Sequence, residues 1–161
     1  MLELARISGA SRVMVSEPVA VKRQLARDLG ADAVVDPLKE KPEEICNQLT
    51  DGKGFDTVIE ASGNLGAVKQ TLSLAGKGGT IVWSAVYPLE AEIAVNHFQM
   101  FAKELTIRSV FVSPYSFPRA LNILPKLNLK PIISEIIPLQ DIEKAFELHK
   151  KGNSVKILIK P

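Results

Sequence analysis

The chain has 161 residues, of which 46% are hydrophobic and 24% charged, with a formal net charge of +2. That is enough apolar material for the core of one domain or slightly more, and too small and scattered a positive charge to point to nucleic acid. No apolar run reaches the ~20 residues of a membrane span, residues 2–9 lack the basic flank of a secretory signal, and the single cysteine excludes an internal disulfide and fits a reducing, cytoplasmic setting.

Residues 1–8 carry apolar Leu2, Leu4, Ala5 and Ile7 and read as a helix closed by Gly9, with no N-cap of its own, as if cut from something longer. Residues 12–16 read as a buried strand that ends on Glu17. A helix over 18–29 follows, with Val21, Leu25 and Leu29 on one stripe, Pro18 in its first turn and Gly30 as its stop. A short strand over 33–36 ends at Pro37. A helix over 42–49 has Glu43 and Glu44 in its first turn, where the helix dipole favours them. Residues 56–61 have the apolar Val58 and Ile59 of a strand buried on both faces. Ser62-Gly63 is a tight turn, and a helix over 65–74 stops at Gly76. A fourth strand covers 79–86, a short strand 93–95, a helical turn or two 98–103, and a last strand 105–112. Strands alternating with helices at this spacing predict a parallel sheet covered on both faces.

The texture changes near Ser113, so the chain is divided at 1–112 and 113–161. A helix over 117–127 is expected to kink or end early at Pro125. Residues 132–137 are extended, and 141–151 form an amphipathic helix with Ile142, Ala145, Phe146 and His149 on one stripe. A strand over 155–159 closes the chain.

An acid at the end of the strand over 12–16 stands where, in a doubly wound fold, an acid accepts from the ribose hydroxyls of a dinucleotide, and the glycine-rich turn that cradles the pyrophosphate belongs about 20 residues upstream. The chain is too short on that side to hold it. The strand that carries that turn is the central one of a doubly wound sheet, so residues 12–16 and 56–61 lose their shared neighbour. Each buried backbone group left unpaired costs about 1–3 kcal/mol. The expected outcomes are that these strands pair directly, that another chain supplies the strand, or that the sequence is part of a longer polypeptide or folds poorly alone. Elsewhere the readings are structural: Cys46 as a small core thiol, His97 and His149 too far apart for a metal-ligand spacing, and Trp83 and Tyr87 as core aromatics, with Tyr87 also a candidate wall of a substrate pocket.

The string Glu17, Lys22, Gly30-Ala31-Asp32-Ala33, Phe55-Asp56-Thr57-Val58-Ile59-Glu60-Ala61-Ser62-Gly63, Gly78-Gly79-Thr80-Ile81-Val82 and Leu105-Thr106-Ile107, followed by Phe146-Glu147-Leu148 and Lys156-Ile157-Leu158-Ile159, resembles the C-terminal half of medium-chain, zinc-dependent alcohol dehydrogenases of the polyol and threonine dehydrogenase branches. The resemblance implies an α/β, doubly wound Rossmann-type parallel sheet lacking its first strand, with a small α+β tail. It implies NAD as cofactor, with Glu17 and Lys22 on the adenosine ribose. It places Ala61, Ser62 and Gly63 under the adenosine, and Ala85, Val86 and Phe111 by the nicotinamide. A carboxylate at Glu17 repels a 2′-phosphate and so favours NAD over NADP. The implied reaction is oxidation of a secondary alcohol, polyol or amino alcohol, its zinc held by a barrel that this sequence does not contain. The chain alone is therefore expected not to turn over; the alternative is a truncated, non-catalytic remnant or interaction module. Segments from Ile93 to Val95 and from Leu105 to Phe111 resemble the edges through which family subunits pair as homo-oligomers.

Overall fold

The computed structural model describes residues 1–111 and 115–161, so the 112/113 boundary and the end of the strand expected over 105–112 lie outside the described residues. The chain divides into two compact units, Met1–Lys41 with Phe117–Pro161, and Pro42–Ser116.

In the first unit, helix α1 (Leu2–Ile7) is followed by strand β1 (Met14–Ser16), helix α2 (Ala20–Asp28) and strand β2 (Ala33–Val35). β1 and β2 are parallel, with Met14 opposite Ala33 and Ser16 opposite Val35. The Arg6 guanidinium joins α1 to this pair: it donates to the carbonyls of Gly30, Ala10 and Ser11 and forms a 2.6 Å ion pair with Asp32. Asp32 also accepts from Val13 N–H at 2.6 Å, and these donors, Arg6 first, hold its carboxyl below the usual range. Strand 12–16 is thus shorter than expected, because Val13 is engaged by a side chain at its N–H. Pro18 precedes α2 instead of sitting in its first turn; Val19 is the N-cap. Ala26 is the buried residue of α2, and Val21, expected on the buried stripe, is exposed.

The same unit contains α6 (Ser116–Ile123), which passes into a 3₁₀ turn at Leu124–Lys126 with Pro125 inside it. This is the early ending that the missing proline N–H requires. Beyond it, β6 (Ile133–Pro138) and β7 (Lys156–Lys160) pair in parallel and α7 (Ile142–Lys150) connects them. Of the predicted stripe on α7 only Ala145 is buried. Phe146 is 62% exposed, since a two-stranded sheet offers too little surface to cover a whole helix face.

The second unit is a three-stranded parallel sheet in the order β3 (Phe55–Glu60), β4 (Ala75–Trp83), β5 (Thr106–Ser109). Helices α3 (Pro42–Thr50), α4 (Leu65–Leu74) and α5 (His97–Lys103) complete it. Val58, Ile81 and Ile107 are in register across the sheet and share one face. There they meet buried Leu72 and Ala75, with Met100 and Leu105 packed around them. Ile59 points to the other face and is 47% exposed. The expectation of strands buried on both faces is therefore corrected: Leu72 of α4 and Met100 of α5 both pack on the Ile81 side.

Gly76 does not stop α4. The helix ends at Leu74 and the chain is extended from Ala75 onward. Gly76 is glycine because a Cβ there would collide with the Lys53 carbonyl oxygen, where β4 passes the Gly54 turn. The carbonyls of Leu72, Ser73 and Ala75 at the helix end are instead taken by one cation, Lys103 Nζ, at 3.0, 3.2 and 2.7 Å. Cys46 is buried and its thiol donates to Leu74 O at 3.5 Å, as expected of a core thiol. Residues 93–95 are not a strand; no neighbouring strand pairs with them among the described residues. β1 and β3 belong to separate sheets, so the direct pairing considered above does not form.

Candidate coenzyme site

At the end of β1, the Glu17 backbone N–H donates to Val35 O at 3.0 Å, extending the β1–β2 ladder by one residue. Its carboxylate accepts from Val19 N–H at 2.8 Å and so satisfies one free donor at the start of α2. An ionised carboxylate has about four lone-pair sites, so acceptor capacity remains for ribose hydroxyls. Lys22 is half-buried one turn into α2. A neighbour that the sequence reading missed is Arg23. Its guanidinium donates to the carbonyls of Glu17 (2.8 Å) and Pro18 (2.6 Å) and pairs with Asp36 at 2.9 Å, with only 14% and 9% of the two side chains exposed. The signal was available as a basic residue six positions after the strand-end acid, but its partner, at the end of the next strand, becomes visible only in the fold.

In the second unit the strands finish together: Glu60 is opposite Trp83, and Trp83 opposite Ser109. Ala61, Ser62 and Gly63, then Ala85 and Val86, then Phe111, all follow just past these three adjacent strand ends. Ser84 N–H and Oγ both donate to Glu60 O, at 2.9 and 2.8 Å, and Val110 N–H donates to Trp83 O at 3.0 Å. Gly63 has φ of +73°, and a Cβ there would stand 3.1 Å from Val86 O, so the turn after β3 lies against the loop after β4. Val86 and Phe111 are exposed, 81% and 89%. The sheet edge therefore presents backbone and apolar side chains where parallel sheets bind ligands.

The second residue that sequence reasoning missed is Glu60. It is buried, 4% exposed, and its carboxylate accepts from Ser62 N–H at 2.7 Å, from Ser62 Oγ at 2.5 Å and from the Tyr87 hydroxyl. Burial works against its charge, yet the donors from Ser62 and Tyr87 outweigh that and hold the carboxyl below its ordinary value. Tyr87 is pushed above the ordinary tyrosine range by burial and by the adjacent Glu60. Near neutral pH the pair is a carboxylate and a neutral phenol.

Zinc was tested against the donors present. Among the described residues no group of three or more His, Cys, Asp or Glu is arranged to hold a metal. The one thiol is buried and its pKa is raised by that burial. The described residues do not fit a zinc centre. No helix among the described residues is long and apolar enough to cross a membrane.

In each unit the candidate residues lie at or just past the C-terminal ends of parallel strands, where α/β folds commonly bind ligands. Residues 1–126 match the zinc-binding dehydrogenase family. The chain belongs to that family and corresponds to its C-terminal, coenzyme-binding half. It is 34% identical to L-threonine 3-dehydrogenase of Thermococcus kodakarensis over 165 residues, 99% of this chain and 47% of that protein. It is 31% identical to D-arabitol-phosphate dehydrogenase of Enterococcus avium, covering 99% and 46%. The chain thus spans about half the length of the curated relatives it matches. Among solved structures, 2R,3R-butanediol dehydrogenase of Bacillus subtilis superposes with a TM-score of 0.86 at 27% identity, over 99% of this chain and 46% of that one. A Sinorhizobium meliloti protein assigned as a zinc-binding dehydrogenase and solved with NADP bound superposes with a TM-score of 0.87 at 30% identity, over 99% and 48%.

Proposed function

We propose that this chain is the coenzyme-binding part of an NAD-dependent oxidoreductase that oxidises a secondary alcohol, polyol or amino alcohol. The observation that supports it most is the common ending of β3, β4 and β5, which sets residues 61–63, 85–86 and 111 along one sheet edge. On the first unit, Glu17 would accept from the adenosine ribose hydroxyls and Lys22 would reach the same sugar. On the second, Ala61, Ser62 and Gly63 would lie under the adenosine, with Ala85, Val86 and Phe111 at the nicotinamide. NAD supplies the hydride acceptor; these residues bind and orient it.

NAD is preferred over NADP on two grounds. Glu17 places a carboxylate where a 2′-phosphate would be repelled, and the nearby cation, Arg23, is already neutralised by Asp36. Division at 1–112 and 113–161 belongs to the same reading, the second segment being the part that docks on a catalytic domain. The free edge of β5 and residues 93–95 would serve subunit pairing; sedimentation of the chain as a monomer at high concentration would contradict that. Turnover is expected to be absent from the 161-residue chain, and zinc-dependent alcohol oxidation by the purified chain would overturn this.

The test is calorimetric titration of NAD, with NADP as control, into chain shown to be folded by circular dichroism. NAD binding that Glu17→Ala weakens tenfold or more, and weaker NADP binding, is the expected result. A folded chain that binds neither dinucleotide contradicts the reading.

A further inference from the structure

Four hydrogen-bonded residues run from the start of α4 to the loop after β4. Asn64 Oδ1 caps α4, accepting from Gly66 N–H (2.7 Å) and Ala67 N–H (3.1 Å). Asn64 N–H donates to Ser62 Oγ at 3.1 Å, Ser62 Oγ donates to Glu60, and Tyr87 donates to the other Glu60 oxygen. No cation neutralises Glu60 within this network; its charge is carried by three donors, which is the condition under which a buried carboxylate is tolerated. Two of those donors belong to the turn after β3 and the third to the loop after β4. Glu60 therefore ties together the two segments that Gly63 and Val86 O bring into contact. Apart from the tie, Ser84 holds the loop at its start, by its N–H and Oγ on Glu60 O. Val86 and Leu89, on either side of Tyr87 and Pro88, are largely exposed and contribute little burial to hold it.

We propose that Glu60 and Tyr87 are positioning residues that fasten the Ala85–Val86 loop to the Ala61–Gly63 turn and so set affinity for the nicotinamide end of the dinucleotide. The inference rests on the coenzyme reading above and adds to it the device that orders one half of the site. Neither residue touches the ligand. They act by removing, before binding, the entropy cost of ordering the loop.

The test compares NAD with ADP-ribose, which lacks the nicotinamide ring, on the native chain, Tyr87→Phe and, as control, the exposed Tyr115→Phe. Tyr87→Phe is expected to weaken NAD about tenfold while ADP-ribose stays within about twofold, and Tyr115→Phe to change neither. NAD and ADP-ribose weakened in equal proportion, or NAD binding unchanged in Tyr87→Phe, overturns the positioning role and leaves the coenzyme reading standing. A native chain that binds neither probe overturns both.

A second readout needs no ligand. In an ultraviolet titration of the native chain Tyr87, identified by its loss in Tyr87→Phe, should ionise only above the ordinary tyrosine range, and Glu60→Gln should bring that ionisation down. A Tyr87 that ionises in the ordinary range in the native chain, or one that Glu60→Gln leaves unmoved, would show that the tie does not exist.

Discussion

Two glutamates end parallel strands in this molecule, and they differ in almost every physical respect. Glu17, at the end of β1, is partly exposed, and its carboxylate accepts from Val19 N–H. Glu60, at the end of β3, is buried and holds three donors from two segments. A carboxylate with acceptor sites to spare is suited to recognising a ligand. One whose sites are filled by the protein is suited to holding the protein's own loops. The position along the strand is the same; the neighbours decide the role.

The largest expected effect comes from emptying the buried position. Glu60→Ala strands the Ser62 and Tyr87 donors without an acceptor, each at about 1–3 kcal/mol if water does not reach it. A loss of about 3 kcal/mol or more in denaturant unfolding is expected, against about 1 kcal/mol or less for Glu17→Ala, which removes a half-buried helix-start bond. Equal losses at the two sites would dissolve the contrast.

Next in size is the pH dependence. The folded-state Glu60 carboxyl is lowered from its ordinary 4.5, so its contribution is full above that value and is lost as pH falls through the folded value. Tyr87 is raised from its ordinary 10.0, so its contribution is present below that value and is lost as pH climbs through the folded one. Stability of the native chain should therefore fall on both sides, and Tyr87→Phe should flatten the alkaline side while leaving the Asp32 share of the acid side intact. An alkaline limb unchanged in Tyr87→Phe would refute the assignment.

The smallest effect is expected at an exposed ion pair. Lys77 and Glu104 approach to 3.6 Å with most of both side chains in solvent, so Lys77→Ala should shift stability by no more than about 0.5 kcal/mol. A larger shift would mean that surface charge, not burial, separates the strong sites from the weak ones.

Much of the fold was legible in the sequence because the alternation of strands and helices is a local pattern. α4 was delimited at both ends, and the proline at 125 ended its helix where its missing N–H demands. What was not legible depended on partners distant in sequence. Residues 93–95 have strand-like composition but, among the described residues, no neighbour to pair with. Phe146 has the periodicity of a core residue but too little sheet beneath it. Gly76 looks like a helix stop, and its reason is the chain passing at Lys53. In the candidate site, Glu17 could be singled out because its position at a strand end before Pro18 is itself the signal. Glu60 sat in plain view within the family-like string, but its role needs Tyr87, 27 residues on, and no spacing rule joins the two. Arg23 was likewise hidden until Asp36 was beside it.

The most direct measurement is made on one protein, Glu17→Ala, with NAD affinity by calorimetry and unfolding free energy by denaturant titration. The account predicts at least a tenfold loss of affinity, with stability within about 1 kcal/mol of native. Unchanged NAD affinity in a folded Glu17→Ala chain would contradict it, and would leave the end of β1 with a helix-starting acid and nothing more.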